Sequence, residues 1–315
     1  MLILRRSEVE RLLDVDELIE ALAAAMSDLS AGRASSPPRV AAQIQERDAF
    51  FAAMPAHVPS ADALTSKLVS VFPHNTTLPT HQAVIAAFDP DTGEPTAFLD
   101  GTAITALRTA AGSALATRLL AREDATTLAI LGTGVQARAH AQAVPRVRAF
   151  TEIRIAGRDP EKAEALAAEI GATAARSFEE ACAGADVVCA TTHADEPVVV
   201  REHLSPGTHV TSVGFNPTGR EVDAATVRDA LVAVESRASA LAPVPAGSLD
   251  LADANADDVV EIGELLDGRR EGRTSPDELT LYKSVGVAVQ DAAAAMLVLR
   301  AALEQGAGLE VDIQD

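Results

Sequence analysis

Apolar residues recur every three or four positions in long stretches of this chain and every second position in the short segments between them. Leu18, Ile19, Leu22 and Met26 fall on one side of a helix. Its start is expected near Ser7 or Asp14, each followed three residues later by Glu as in a capping box, and "SAGRASSPP" ends it. Ile104, Leu107, Ala111, Leu115 and Leu119 mark a second helix over 102–122. Between the two, "RVAAQIQ", "AFFAAMPA", "SKLVSVFP", "HQAVIAAFD" and "PTAFLDG" read as a β-meander, with "PDTGE" as a hairpin turn. The opening "MLILRRSEVERLL" reads as a short strand entering a helix.

From Thr126 strands and helices alternate. "TLAIL", "EIRIAG", "ADVVCAT", "THVTSVG" and "ALVAVES" are short and buried in pattern, with helical stretches at 135–146, 160–170 and 177–184. This order predicts a doubly wound parallel α/β domain. The Ala-rich tail "GVAVQDAAAAMLVLRAALEQG" is a further helix, expected to leave that domain and pack on the N-terminal part. The expected division is therefore 1–122 with 286–315 against 123–285.

Charge narrows the partners. With 46 acidic and 26 basic residues the surface is anionic, which disfavours nucleic acid and anionic membranes. A small anion remains open, because a few buried cations set the local field. No apolar run approaches the ~18 residues of a membrane span, and no signal-peptide cleavage pattern is present, so a cytoplasmic protein is expected. Cys182 and Cys189 form no zinc or disulfide spacing and read as packing residues. The histidines are scattered, which calls for no metal; His74 and His81 read as surface or core residues.

Two constellations carry chemistry. The first is Gly132-Thr133-Gly134-Val135-Gln136-Ala137, directly after a strand and opening a helix. In a dinucleotide fold the first Gly makes the turn and the second admits a pyrophosphate to the backbone. A small third residue lets the helix approach the sheet, and the helix N-terminus offers unpaired N–H groups. The next strand ends at Gly157-Arg158, where an NAD-preferring protein would place an acid. A guanidinium there suits a 2′-phosphate, so NADP(H) is favoured, with NAD(H) as the alternative. Asp159 either reaches a ribose hydroxyl or caps the helix at Pro160.

The second constellation is cationic. Arg39 opens a strand, Lys67 is one of three lysines and sits in an apolar strand, and Arg108 lies mid-helix among small residues. Singly they read as a strand-end charge, an edge-strand gatekeeper and a snorkelling side chain. Together, with no carboxylate beside them in sequence, they suggest an anion pocket.

"SKLVSVFPHNTTLPTHQAVIAAFDPDTGEPTAFLDGTAITALRTAAGSALATRLLAR", "LAILGTGVQARAHAQAV" and "TLYKSVGVAVQDAAAA" resemble the ornithine cyclodeaminase/mu-crystallin family over nearly the whole chain. The resemblance implies a Rossmann domain with a split α+β substrate-binding and dimerisation domain, and a homodimer. It implies nicotinamide redox chemistry on α-amino or α-imino acids, with Arg39, Lys67 and Arg108 on the substrate carboxylate. It places Thr80, Arg108 and Thr109 against the cofactor phosphate or nicotinamide, Gly132, Gly134, Val135 and Gln136 at the pyrophosphate turn, Thr191 in the crevice and Ser284 at the nicotinamide end.

Departures from the family pattern select among its activities. Cyclodeaminases carry an acid where this chain has Phe215 or Asn216, and a second where it has Met54. The resemblance is therefore to the ketimine reductase-like branch, which reduces Δ1-pyrroline-2-carboxylate or Δ1-piperideine-2-carboxylate to proline or pipecolate. There Lys67 is the side chain able to protonate the imine, with water as its rival, because Arg does not deprotonate. An ornithine cyclodeaminase, an alanine-type amino-acid dehydrogenase and a non-catalytic NADP-dependent binding protein remain as alternatives.

Overall fold

The computed structural model describes residues 1–244 and 246–313. The chain opens with β1 (Leu2–Leu4), α1 (Arg6–Leu12) and α2 (Val15–Ser30). Asp14 caps α2 by accepting from the N–H groups of Asp16 and Glu17, both at 2.9 Å. What reads in sequence as one helix is thus two, broken at Leu13–Asp14, with Ser7 inside α1 and not at its cap. The meander follows as β2 (Val40–Ile44), β3 (Ala49–Val58), β4 (Ala63–Val71), β5 (His81–Phe88) and β6 (Pro95–Asp100). Helix α3 (Gly101–Leu120) comes next.

The alternating part begins with β7 (Thr127–Leu131), α4 (Val135–Ala143), β8 (Glu152–Ala156) and α5 (Pro160–Ile170). It continues through β9 (Thr173–Ala174), α6 (Phe178–Cys182), β10 (Val187–Ala190) and β11 (His209–Ser212). Then come α7 (Ala224–Asp229), β12 (Leu231–Val234), α8 (Arg237–Ala240), β13 (Val260–Glu261), α9 (Ile262–Leu266) and β14 (Thr280–Lys283). Helix α10 (Ala288–Gln305) and β15 (Leu309–Glu310) close the chain.

Two compact units result, Met1–Arg108 with Val287–Asp315, and Thr109–Gly286. The division cuts α3 after Arg108, whereas the boundary read from the sequence sits past the end of that helix.

The first unit is built on a sheet of order β15-β1-β6-β5-β4-β3-β2, antiparallel except where β1 meets β6. Alternation in β3–β6 sends one set of side chains inward, as period-two patterning requires. One cross-strand row on the inner face reads Met54–Lys67–Ile85–Leu99. Helix α10 covers this face, contacting β3, β4, β5 and α2. Its run Ala292–Ala295 is fully buried, and such small side chains let a helix lie close to a sheet.

The second unit is an all-parallel sheet of order β13-β12-β14-β11-β10-β7-β8-β9. This is the Rossmann-type α/β fold expected, and strand order reverses between β7 and β10. "TLYK", four residues after a long irregular segment, is β14 between β11 and β12. Among the described residues no helix is long and apolar enough to cross a membrane.

Candidate active site

The first unit gathers charge around Lys67. This residue is interior to the sheet on β4 and 3% exposed, which rules out the edge-gatekeeper reading. Its Nζ lies 2.8 Å from Asp291 Oδ2, and Asp291 is 1% exposed in the first turn of α10. The contact is a buried ion pair. Arg108 is buried too, so it does not snorkel: Nε donates to Asp291 Oδ1 at 3.1 Å and Nη1 to Gln290 Oε1 at 3.1 Å. Gln290 Oε1 also accepts from the Val287 N–H at 3.2 Å, so the amide orientation is set by two donors.

Electrostatics follow from burial. Desolvation pushes the Lys67 ammonium down to about 8; Asp291 opposes this, while Arg108 and Arg39 add to it. Arg39, half-buried just before β2, is thus near enough to act on Lys67. Burial alone would raise the Asp291 carboxyl, but Arg108 and Lys67 outweigh it and hold the group below its ordinary value. Desolvation, with Lys67 and Arg108 adding to it, pushes His81 down to about 4, so its imidazole is neutral near neutral pH. The anion pocket read from sequence therefore already contains one acid. Asp291 and Gln290 escape a reading of the sequence because only tertiary packing brings α10 to β4. The available signal is an acid and an amide inside an otherwise apolar helix, which demand buried partners.

The second unit carries the glycine corner at the end of β7. Gly132 has φ +128°, and a Cβ there would stand 2.4 Å from Thr191 Oγ1. Thr191 donates from Oγ1 to the Leu131 carbonyl at 2.9 Å, closing the corner against β10. Gly134 differs: it is the N-cap of α4, no side chain caps that end, and an added Cβ would meet nothing within 4 Å. Open space before uncapped helix N–H groups fits a pyrophosphate. Ala137 is fully buried, which allows the close helix approach. Val135 is 58% exposed at the head of α4, and Gln136 follows it, half-buried.

At the end of β8, a Cβ on Gly157 would lie 2.7 Å from Thr133 Cγ2, so the corner itself crowds out a side chain there. Arg158 is exposed and makes no ion pair among the described residues. Asp159 accepts from the Lys162 N–H at 3.3 Å as N-cap of α5. The hydroxyl of Ser284 is donated to the buried Glu235, which also accepts from the N–H groups of Val285 and Gly286. Thr80 is exposed before β5, and Thr109 is buried in α3. Cys182 and Cys189 are buried free thiols pushed up to about 12 by desolvation. Among the described residues no cluster of three metal-ligating side chains occurs.

A profile of the ornithine cyclodeaminase/mu-crystallin family matches residues 1–306. The chain belongs to this family. It is 38% identical to the ketimine reductase mu-crystallin of Mus musculus, over 89% of this chain and 90% of that one. It is 34% identical to a Δ1-pyrroline-2-carboxylate reductase of Bacillus cereus, over 99% and 100%. The solved Thermococcus litoralis Δ1-pyrroline-2-carboxylate reductase, in complex with NADH and L-proline, superposes with TM-score 0.93 at 35% identity, covering 99% of this chain and 100% of that one. Within this family frame the two departures acquire positions. Met54 is buried directly across from Lys67; of the two residues at the other departure, Phe215 is 37% exposed, and Asn216 donates from Nδ2 to the Ala194 carbonyl at 3.0 Å and to Asp195 Oδ1 at 2.9 Å.

Proposed function

We propose that the protein reduces a cyclic imino acid, Δ1-pyrroline-2-carboxylate or Δ1-piperideine-2-carboxylate, to proline or pipecolate with NADPH. It is a nicotinamide-dependent oxidoreductase acting on carbon–nitrogen double bonds, as its relatives are. The observation that carries the finer reading is the setting of Lys67. Two buried cations, Lys67 and Arg108, share the Asp291 carboxylate and leave a net positive charge, while the cross-strand neighbours Met54 and Ile85 of Lys67 are apolar. Such a place favours the carboxylate of a small acid with an uncharged ring and offers no counter-charge to a second amine.

Arg108 and Arg39 act as fixed clamps on the carboxylate, and the clamp orients the C=N bond. Lys67, at about 8, is charged near neutral pH yet close enough to neutrality to release a proton, so it protonates the imine nitrogen and makes the carbon more electrophilic. Asp291 keeps the resulting neutral amine ready to be recharged from solvent. Gly132 and Gly134 would shape the pyrophosphate turn of a nicotinamide dinucleotide and Arg158 would read its 2′-phosphate; the group, when bound, would supply hydride for the imine carbon. One guanidinium is enough for that reading, because it meets a phosphate bidentately.

The seven-stranded sheet supports a homodimer. Its outer face carries the row Val40–Ala53–Leu68–Val84, with Val40 74% and Val84 36% exposed, and Phe51 on the same face is 45% exposed. The test of the activity is loss of NADPH absorbance on mixing the protein with either cyclic imino acid. Stoichiometric consumption supports the reading; conversion of ornithine without net NADPH loss replaces it with a cyclodeaminase. Near-wild-type turnover in Lys67→Ala removes Lys67 from the mechanism.

A further inference from the structure

Lys283 ends β14 at 1% exposure, and the reaction described above does not use it. Its ammonium donates to Ser212 Oγ at 2.9 Å and to the Gly214 carbonyl at 2.8 Å, and lies 2.9 Å from Asp250 Oδ2. Ser212 in turn donates to Glu221 Oε2 at 2.7 Å, and the Gly214 N–H donates to the same oxygen at 2.7 Å. The other oxygen, Oε1, accepts from Thr192 N–H at 2.6 Å and Thr192 Oγ1 at 2.7 Å. Asp250 Oδ1 then accepts from the N–H groups of Glu221 and Val222, at 2.7 and 2.9 Å. Every charge in this buried group is therefore met by oriented partners, the condition under which buried ions are tolerated.

The chain of bonds runs across the sheet. It passes from Lys283 on β14 over Ser212 on β11 to Glu221 and the residues after β10, and Thr191 extends it to Leu131 on β7, next to Gly132. Gly214 is tied in by shape as well, since a Cβ there would stand 2.3 Å from the Thr192 carbonyl and 2.6 Å from Glu221 Oε1. The groups held are backbone at the carboxyl ends of β10 and β11. In an open α/β sheet ligands bind outside those ends, at the reversal of strand order. The ribose reader follows β8 on the adenosine side, which leaves the β10–β11 side to the nicotinamide half.

Resting on the dinucleotide reading above, we infer that Glu221, held by Lys283, is a positioning residue that fixes the Thr191–Thr192 and Val213–Gly214 turns as the nicotinamide side of the cofactor crevice. It acts through backbone and hydroxyl groups and touches no reacting atom. The experiment titrates the full chain with NADPH and, separately, with 2′,5′-ADP, which lacks the nicotinamide half. Glu221→Gln puts an amide NH2 against two donors; NADPH affinity is expected to fall about tenfold or more, the equivalent of one charged hydrogen bond, with 2′,5′-ADP affinity unchanged. Ser212→Ala removes only the hydroxyl between Lys283 and Glu221 and is expected to weaken NADPH by about threefold to tenfold in the same selective way; it decides the matter if Glu221→Gln does not fold. NADPH binding equal to wild type in the folded variants, or equal loss of both ligands, overturns the inference. A wild-type chain that binds no dinucleotide overturns the cofactor reading instead, and the two failures are told apart by that control.

Discussion

Lys67 Nζ and Asp291 Oδ2 stand 2.8 Å apart with both side chains buried, one on β4 and the other on α10. Asp291 engages one side of an ammonium that carries three donors. A buried pair made only for stability would gain from saturating its hydrogen bonds, because desolvation otherwise outweighs attraction. In the proposed reaction an incoming carboxylate takes up the remaining capacity.

This geometry sets a pH dependence. If turnover needs protonated Lys67, kcat/KM falls as pH rises through about 8. Asp291→Asn removes the group that favours the proton on Lys67, while Arg108 and Arg39 still oppose it, so the falling limb moves to lower pH. His81, at about 4, does not titrate in that range. Leaving two buried cations without their acid also costs about 3–5 kcal/mol of stability, read by denaturant unfolding. A limb that stays in place assigns the titration to another group.

Lys67→Arg separates clamping from proton delivery. Guanidinium keeps the positive charge near the substrate carboxylate but does not give up a proton. KM for the imino acid is expected to change little, while kcat falls by about 10² or more, the usual worth of general acid catalysis. Steady-state kinetics at fixed NADPH measure both. Unchanged kcat transfers the proton step to water.

Legibility in the sequence follows the range of the interaction. The glycine corner, the Gly157–Arg158 pair and the Asp159 cap are each visible as a local pattern, although Thr191 and Thr133 complete the first two by packing from elsewhere in the chain. Lys67 stands out because a lysine in an apolar strand needs a partner, yet that partner, Asp291, is supplied by the last long helix. Glu221 and Lys283 give no local signal for the same reason: their partners come from β10, β11 and the segment at Asp250. The break between α1 and α2 is half legible, since Asp14 carries the cap but the apolar spacing runs on across it. Periodicity reports which face is buried and is silent on what buries it.

The two glycines of the corner are expected to fail differently. Gly132→Ala forces a left-handed backbone on alanine and drives its Cβ to 2.4 Å from Thr191 Oγ1, so the protein loses stability and cofactor binding together. Gly134→Ala has φ −88° and no atom within 4 Å of the new Cβ, so thermal unfolding stays near wild type. Its methyl occupies the space before the helix N-terminus, and NADPH affinity drops about tenfold or more. Undiminished NADPH binding in Gly134→Ala makes the corner a structural turn only.

The proposed cofactor choice rests on Arg158. It is exposed and makes no ion pair among the described residues, so Arg158→Ala costs the fold little. Loss of a guanidinium from a 2′-phosphate is expected to raise KM for NADPH about tenfold while KM for NADH stays near its starting value. Equal effects on both cofactors place the 2′-phosphate elsewhere.

The outer face of the seven-stranded sheet predicts the oligomeric state. Val40, Ala53, Leu68 and Val84 form one row across four strands, and Phe51 stands 45% exposed on the same face. Contiguous apolar surface on a sheet marks a partner surface, whereas scattered apolar residues do not. Val84→Asp and Phe51→Asp put charges where a second copy would pack and leave the inner row with Lys67 untouched. Light scattering is expected to give a dimer for the wild type and a monomer for the double variant, with the fold retained by circular dichroism. A dimer that survives both charges places the interface elsewhere, because two buried unpaired carboxylates on each copy would cost several kcal/mol.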